Sequence, residues 1–481
     1  MRMISFLKKS FDYFPDKIAI YEAENVWRYQ DIYEMTNTVA NVIYSTQVRK
    51  NDRICICFTN VVEFIFSYFA VLKVGCIPVL VSVNTPVDKI YHILQETSAV
   101  GFVGHSWVFR LISDTKKTLQ FAILDKYFHT KRNDFKIFFI DQLKPDPEFS
   151  GVEYNEPEKI CLYTSGSTGK PKGVVLTSSN IDYSTSTIIN YLKLNEKDCT
   201  LVSMPFSHCA GLLYMLVHVR IAGSLITGES ASMPGSFLTA IYNKGVTNLP
   251  VIPSLMNLYV KNFKKEIAHY CSKLKYIELS SEPYNQLLIN TLTDILPTVK
   301  LFNTYGLTEA PRATYHNVKK DSNAIISVGK PNSQVNITII NSQNKPCQAG
   351  ETGELFISGP NVAHGYWNKP ETTNKVFTKL GFKTGDMGYK DHLGRIFLTK
   401  RVDEMIKIGG ENVYPDEIRQ VINSISGVEN VQIHTVDDAI YGKAIHVYVK
   451  RHTEAITEKH LLKYCRKYLE KNKIPTMIEF L

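Results

Sequence analysis

The sequence predicts an α/β protein. A large N-terminal domain of parallel-type sheets with helices, plus a small barrel-like unit, is followed by a small mobile α+β C-terminal domain. Three observations carry this expectation. Between about residues 50 and 310, short β-branched runs alternate with helical patterns, the order that builds parallel sheets with ligand groups on loops at the strand ends. Between about 330 and 400 the pattern changes to short strands and turns, "VNITIIN", "GELFIS" and "GRIFLT", which suits an antiparallel or barrel-like unit. The last eighty or so residues read helix, strand, strand, helix.

Taken along the chain, each element has its own signal. Residues 62–83 are apolar enough to raise the question of a membrane span. Lys73, Gly75 and Pro78 interrupt them, so a buried helix followed by a strand is expected. "TLVSMP" precedes "GLLYMLVHVRIAG", "SLITG" precedes "PGSFLTAIYNKG", and "LKYIELSS" precedes "NQLLINTLTDILP", which leads into "VKLFNTYG". "YPDEIRQVINSI" reads as a helix with Pro415 in its first turn, where a missing N–H costs nothing. Strands "NVQIHTV" and "AIHVYVK" come next, then a helix capped by Thr457. The boundary is expected at the joint "TKRVDEM", giving domains 1–400 and 401–481.

Composition narrows the class. The 481 residues allow two or three domains, and 44% apolar with 21% charged residues is ordinary for a soluble globular protein. The net charge of +9 is spread along the chain and favours anionic ligands only weakly. No basic block interleaved with aromatics argues for nucleic acid. The nine cysteines are scattered without a C-x-x-C pair, so reduced thiols in a cytoplasmic protein are expected. "MRMISFLKKSFDYFPDK" has no apolar core for a signal peptide, and no integral membrane association is expected.

The densest chemical signal is "TSGSTGKPKG", residues 164–173: three glycines, four Ser/Thr and two lysines in ten residues. Such a loop exposes backbone N–H groups and hydroxyls, which suits an anion with many oxygens. Pro171 stiffens it, and the apolar runs "ICLY" and "VVL" on either side look like buried strands, so a mere surface turn is the weaker reading. A Walker loop is excluded by spacing: only Ser167 and Thr168 separate Gly166 from Gly169, and Pro171 follows Lys170.

Four further segments follow: "PFSHCAGL" (205–212), "YGLTEAP" (305–311), "KTGDMG" (383–388) and "GRIFLTKRVDEMIKIGGENVYPDEI" (394–418). With the loop they resemble the adenylate-forming enzymes, namely acyl-CoA synthetases, peptide-synthetase adenylation domains and luciferases, over nearly the whole chain. The resemblance implies ATP and Mg2+ as cofactors and joining of a carboxylic acid to ATP as an acyl-adenylate. Transfer follows to coenzyme A or to the phosphopantetheine of a carrier protein. It implies that Thr164, Ser165, Gly166, Ser167, Thr168 and Gly169 wrap the β- and γ-phosphates, with Lys172 adding a point charge. Glu309, with Thr164, would hold the metal, and Thr308 would touch the α-phosphate. Tyr305 in the Tyr305–Gly306 pair would stack on adenine, which Asn303 would read, with Ser281 and Glu282 close to the nucleotide. Asp386 would accept both ribose hydroxyls beside Arg401. Asp403 stands where the family hinges, and Gly409 and Gly410 would admit a pantetheine arm after rotation. His208 is open between orienting the carboxylate, gating the pantetheine tunnel and serving as a satisfied core histidine.

Two departures stand out. "LSSEPY" replaces the family's Gly-Gly-Ala, so Glu282 adds a charge of open role. The family also continues beyond a segment like "KNKIPTMIEFL" to a lysine that bridges carboxylate and α-phosphate, and neither Lys471 nor Lys473 stands in that context. Loss of such a clamp is expected to slow adenylation on the order of a hundredfold or more. The reading is therefore an ATP-dependent ligase for a small or medium carboxylic acid, or a fatty acid. The alternatives are an adenylate-binding protein with weak or no adenylation, and an amino-acid-activating domain. Ser207 and His208, where peptide-synthetase domains place an Asp, argue against an amino acid. Arg312 is expected to brace its loop rather than to meet substrate.

Overall fold

Two sheets with helices packed between them form the body of the protein. The computed structural model describes residues 1–112, 119–127, 136–145, 149, 157–164, 171–320, 327–402, 405–438 and 442–481. In one sheet, eight strands run in the order 365–366, 172–177, 159–164, 77–80, 53–57, 101–104, 121–124, 136–139. From 159–164 onward every neighbour is parallel. "IPVL" and "FAIL" are buried at every position, as strands covered on both faces must be. The second sheet has nine strands, in the order 330–331, 310–317, 300–307, 276–279, 248–251, 199–201, 224–227, 18–22, 25–28.

The apolar run at 62–83 becomes the helix Val62–Lys73 and the strand Ile77–Leu80. That helix and Cys209–Arg220 are buried nearly all round. Both lie in the main core, where Phe64, Phe69, Leu212 and Leu216 pack with Ile54, Leu162 and Leu225 from the two sheets. No helix among the described residues is long and apolar enough to cross a membrane.

The expected alternation appears as strand Cys199–Leu201 then helix Cys209–Arg220, Ser224–Thr227 then Pro234–Asn243, and Tyr276–Leu279 then Gln286–Ile295 before strand Lys300–Leu307. Parallel register sets Leu279 beside Asn303. Residues 280–282 and 304–308 therefore emerge along one strand-end edge, the usual place for a ligand in such sheets. The 330–400 region supplies strands Asn336–Ile340, Gly353–Ser358 and Ile396–Arg401, joined antiparallel through Gly381–Lys390. Ile337, Leu355 and Ile396 pack this sheet on Ala310 and Ala313.

Residues 405–481 carry a core of their own, with Val413, Ile418, Val447, Leu461 and Ile478 at its centre. Pro415 opens the helix Pro415–Asn423, and the Thr457 hydroxyl accepts the His460 N–H at 3.3 Å at the head of Glu458–Tyr468. Strand Met477–Phe480, four residues without a sequence signal, adds in parallel to Gly442–Arg451. All nine cysteines are free thiols. Burial pushes Cys57 and Cys271 up to about 12, so they are packing residues rather than nucleophiles.

Candidate active site

The phosphate-loop segment lies between strands Lys159–Thr164 and Lys172–Thr177, which pair antiparallel with Thr164 opposite Lys172. Alternation in the sequence suggested parallel connections here, and the direction is reversed. The physical reason is length: seven residues between those two positions are too few for a parallel crossover. No helix therefore begins behind this loop. Ser165, Gly166, Ser167, Thr168 and Gly169 lie outside the described residues.

Lys172 projects over the Tyr366 ring, 5.5 Å from its centroid, a cation–π distance. The Tyr366 hydroxyl donates to Glu309 Oε1 at 2.8 Å. Strand Gly365–Tyr366 pairs with Val174 and Val175, and Ala363 N–H donates to the Glu309 carbonyl at 2.8 Å. Segment 363–366 is thus a bracket between the phosphate-loop hairpin and the turn carrying Thr308 and Glu309. Among the described residues no cluster of three or more His, Cys, Asp or Glu could hold a metal. One carboxylate fits Mg2+ all the same, because that ion keeps waters and takes its remaining oxygens from substrate phosphates.

The second wall is built across two strands. Asp386 and Arg401 are cross-strand partners. Arg401 Nη1 reaches Asp386 Oδ1 at 2.5 Å, and the Tyr305 hydroxyl donates to Oδ2 at 2.6 Å. Each carboxylate oxygen retains a lone pair for a ligand hydroxyl. Burial and the adjacent Asp386 hold the Tyr305 hydroxyl well above its ordinary pKa, so it stays a donor. Asn303 is buried beside Ser327. Gly306 is required where it stands: a Cβ would meet Arg312 N at 2.6 Å.

The third wall is shared between the body and residues 405–481. Glu282, whose role the sequence left open, accepts Ser254 N–H at 2.9 Å through one oxygen and Gly410 N–H at 2.5 Å through the other. Gly410 has φ +81°, and a Cβ there would lie 2.9 Å from Ile252 Cγ2, so the glycine permits this close approach. His208, the N-cap of helix Cys209–Arg220, has Nδ1 3.9 Å from Glu411 Oε1. Ser281 holds φ +72°, a left-handed conformation a glycine would adopt without strain.

Three residues were missed by sequence reasoning. Tyr366 has no motif of its own. Lys407 sits in the glycine motif, where nothing in the sequence marks it out; burial pushes its pKa down while Asp386, Glu282 and Glu411 pull the other way. Glu278 was hidden in a strand; it pairs with Arg312, which also donates to Thr304 Oγ1 at 3.0 Å. That pairing gives Arg312 the bracing contacts expected of it. Asp403 lies outside the described residues. Lys473 is fully buried between Glu417 and Glu470 rather than in this cleft.

The sequence profile of the AMP-binding enzyme family matches residues 7–367. The chain belongs to the AMP-binding enzyme family. It is an ATP-dependent acid–thiol ligase of the AMP-forming acyl-CoA synthetase type. It is 28% identical over 478 residues to a 2-succinylbenzoate–CoA ligase of Geobacillus sp. (strain WCH70), covering 97% of this chain and 91% of that one. A feruloyl-CoA synthase of Amycolatopsis sp. is 26% identical, covering 97% and 92%. Among solved structures, a double mutant of o-succinylbenzoate CoA synthetase from Bacillus subtilis, bound with its product analogue, superposes with TM-score 0.85 at 22% identity, covering 99% and 94%. The same synthetase in complex with ATP and magnesium gives 0.73 at 23% identity, covering 99% and 95%.

Proposed function

We propose that this chain activates an aromatic keto acid of the 2-succinylbenzoate type and transfers it to coenzyme A, as a cytoplasmic enzyme. The observation that carries this reading is the full-length likeness to 2-succinylbenzoate–CoA ligases. Its site is the cleft bounded by Lys172, Glu309, Asp386 and the glycine loop. A fatty acid or a carrier-protein acceptor has no comparable support.

In the first half-reaction the acid's carboxylate oxygen attacks the α-phosphorus of ATP and pyrophosphate leaves. Thr164 and Lys172 hold the triphosphate, Thr308 faces the α-phosphate, and Tyr305, Asn303, Asp386 and Arg401 hold adenine and ribose. Glu309, with Thr164, is the residue set for Mg2+, which when bound offsets the charge repelling the incoming carboxylate. Tyr366 keeps Glu309 and Lys172 at a fixed spacing, so that part of the site needs little reorganisation as charge develops.

In the second half-reaction the thiol sulfur attacks the acyl carbon and AMP leaves. Gly409 and Gly410, docked on Glu282, line the approach with backbone alone. His208 stands at the same mouth. We assign residues 1–400 to the body and 401–481 to the rotating unit, with Asp403 at the hinge. The orientation seen here fits the thiol-transfer half, a reading supported by the higher TM-score to the product-analogue complex.

ATP–pyrophosphate exchange across 2-succinylbenzoate, ferulate, a fatty acid and an amino acid tests this. Exchange is expected with 2-succinylbenzoate above all others, with thioester appearing on addition of coenzyme A. Exchange confined to the fatty acid or amino acid would remove this reading.

A further inference from the structure

A cluster of four charges lies on the seam between the body and residues 405–481, near enough to His208 for that histidine to help hold the Glu470 carboxyl, against burial, below its usual range. Lys89 belongs to helix Val87–Thr97 of the body. Its Nζ pairs with Glu417 Oε1 and lies 3.9 Å from Glu470 Oε1. Lys473 Nζ lies 2.9 Å from Glu417 Oε2 and 2.5 Å from Glu470 Oε2. Lys473 is fully buried, Glu417 is 2% exposed and Lys89 9%. Glu417, Glu470 and Lys473 all come from the smaller unit, so that unit alone presents two carboxylates and one ammonium. Without Lys89 the seam would bury an uncompensated negative charge; with it the cluster is neutral.

We propose that Lys89 is a positioning residue that selects the orientation seen here, in which the glycine loop docks on Glu282, and thereby sets the rate of thiol transfer without serving adenylation. The proposal rests on the reading of this orientation as the thiol-transfer one. A buried pair adds little net stability over an apolar contact, but removing one partner is severely unfavourable. Such a pair therefore discriminates between arrangements rather than strengthening all of them. Any rotation that withdraws Glu417 from Lys89 exposes both groups to water, where each is well solvated alone. Rotation back is favourable only when the lysine is there to meet the carboxylate.

Lys89 also stands apart from the residues assigned to the nucleotide. It is not among the groups assigned to phosphate, metal, adenine or ribose, and its helix follows strand Ile77–Leu80. Glu417 lies in the first turn of the helix Pro415–Asn423, where a carboxylate already favours the positive end of the helix. Its second interaction with Lys473 keeps the side chain extended toward the seam.

Hydrogen–deuterium exchange on the substrate-free protein decides this independently of the acid. The segment 405–414, which includes the Gly410 N–H bonded to Glu282, is expected to lose protection by about tenfold in Lys89→Met and to keep it in Lys89→Arg. The double variant Lys89→Met/Glu417→Gln, neutral again across the seam, is expected to recover most of the protection. With 2-succinylbenzoate, ATP and coenzyme A, Lys89→Met is expected to slow thioester formation about tenfold while pyrophosphate exchange changes less than twofold. Unchanged protection in Lys89→Met overturns the proposal, as does failure of the double variant to recover, or equal loss in both half-reactions. If the acid is wrong, neither the parent chain nor any variant shows exchange with it, yet the protection of segment 405–414 still separates the two outcomes.

Discussion

The wall proposed for the nucleotide and the wall proposed for the thiol are built in opposite ways. Asp386 and Tyr305 belong to the body, Arg401 ends the strand Ile396–Arg401 at its boundary, and their hydrogen bonds of 2.5 and 2.6 Å close a triad. The thiol wall meets across the seam: Gly410 N–H on Glu282, and Glu411 3.9 Å from His208. One wall is present whatever the smaller unit does. The other exists only when that unit is docked. A chain that must hold one nucleotide through two successive reactions needs the first kind for the ligand that stays and the second for the group that arrives late.

The sharpest way to break the body's side is Glu309→Gln. It removes the charge of the sole carboxylate assigned to Mg2+, and pyrophosphate exchange is expected to fall on the order of a hundredfold or more. Asp386→Asn comes next. It weakens two charged hydrogen bonds in the triad, so the KM for ATP is expected to rise about tenfold, measured in the same exchange reaction. On the seam side, Gly410→Ala forces a Cβ toward Ile252 at φ +81°. Thiol transfer is expected to slow about tenfold more than adenylation, read from single-turnover thioester formation. Equal slowing of both steps would erase the distinction between the walls. The smallest effect is expected where the walls meet. Ser281→Gly relieves the left-handed strain at φ +72° and is expected to raise stability by about 0.5–1 kcal/mol in denaturant unfolding.

The same contrast governs what was legible in the sequence. Glu309, Asp386 and the glycine pair sit in short contiguous motifs, and the strands around them announce themselves by their apolar runs. Tyr366 and Lys89 could not be found that way. Tyr366 meets Glu309, 57 positions earlier, and Lys89 meets Glu417, 328 positions later. Nothing in their neighbourhood encodes a partner so distant. Lys407 sits inside the glycine motif, but the burial and charges that set it apart come from residues far away in sequence, Asp386 and Glu282 among them. The antiparallel direction of strands 159–164 and 172–177 was missed because strand composition does not record direction. The short loop between them did, and it was the signal to use.

That hairpin has a mechanical consequence. A Walker-type loop leads into a helix, so its grip on phosphate is tied to the helix's first turn. Here the loop is slung between two strands whose hydrogen bonds run to one another and to segment 363–366. The frame is thus held by sheet hydrogen bonds alone, and Lys172 and the turn carrying Glu309 keep their spacing through Tyr366 without a helix between them.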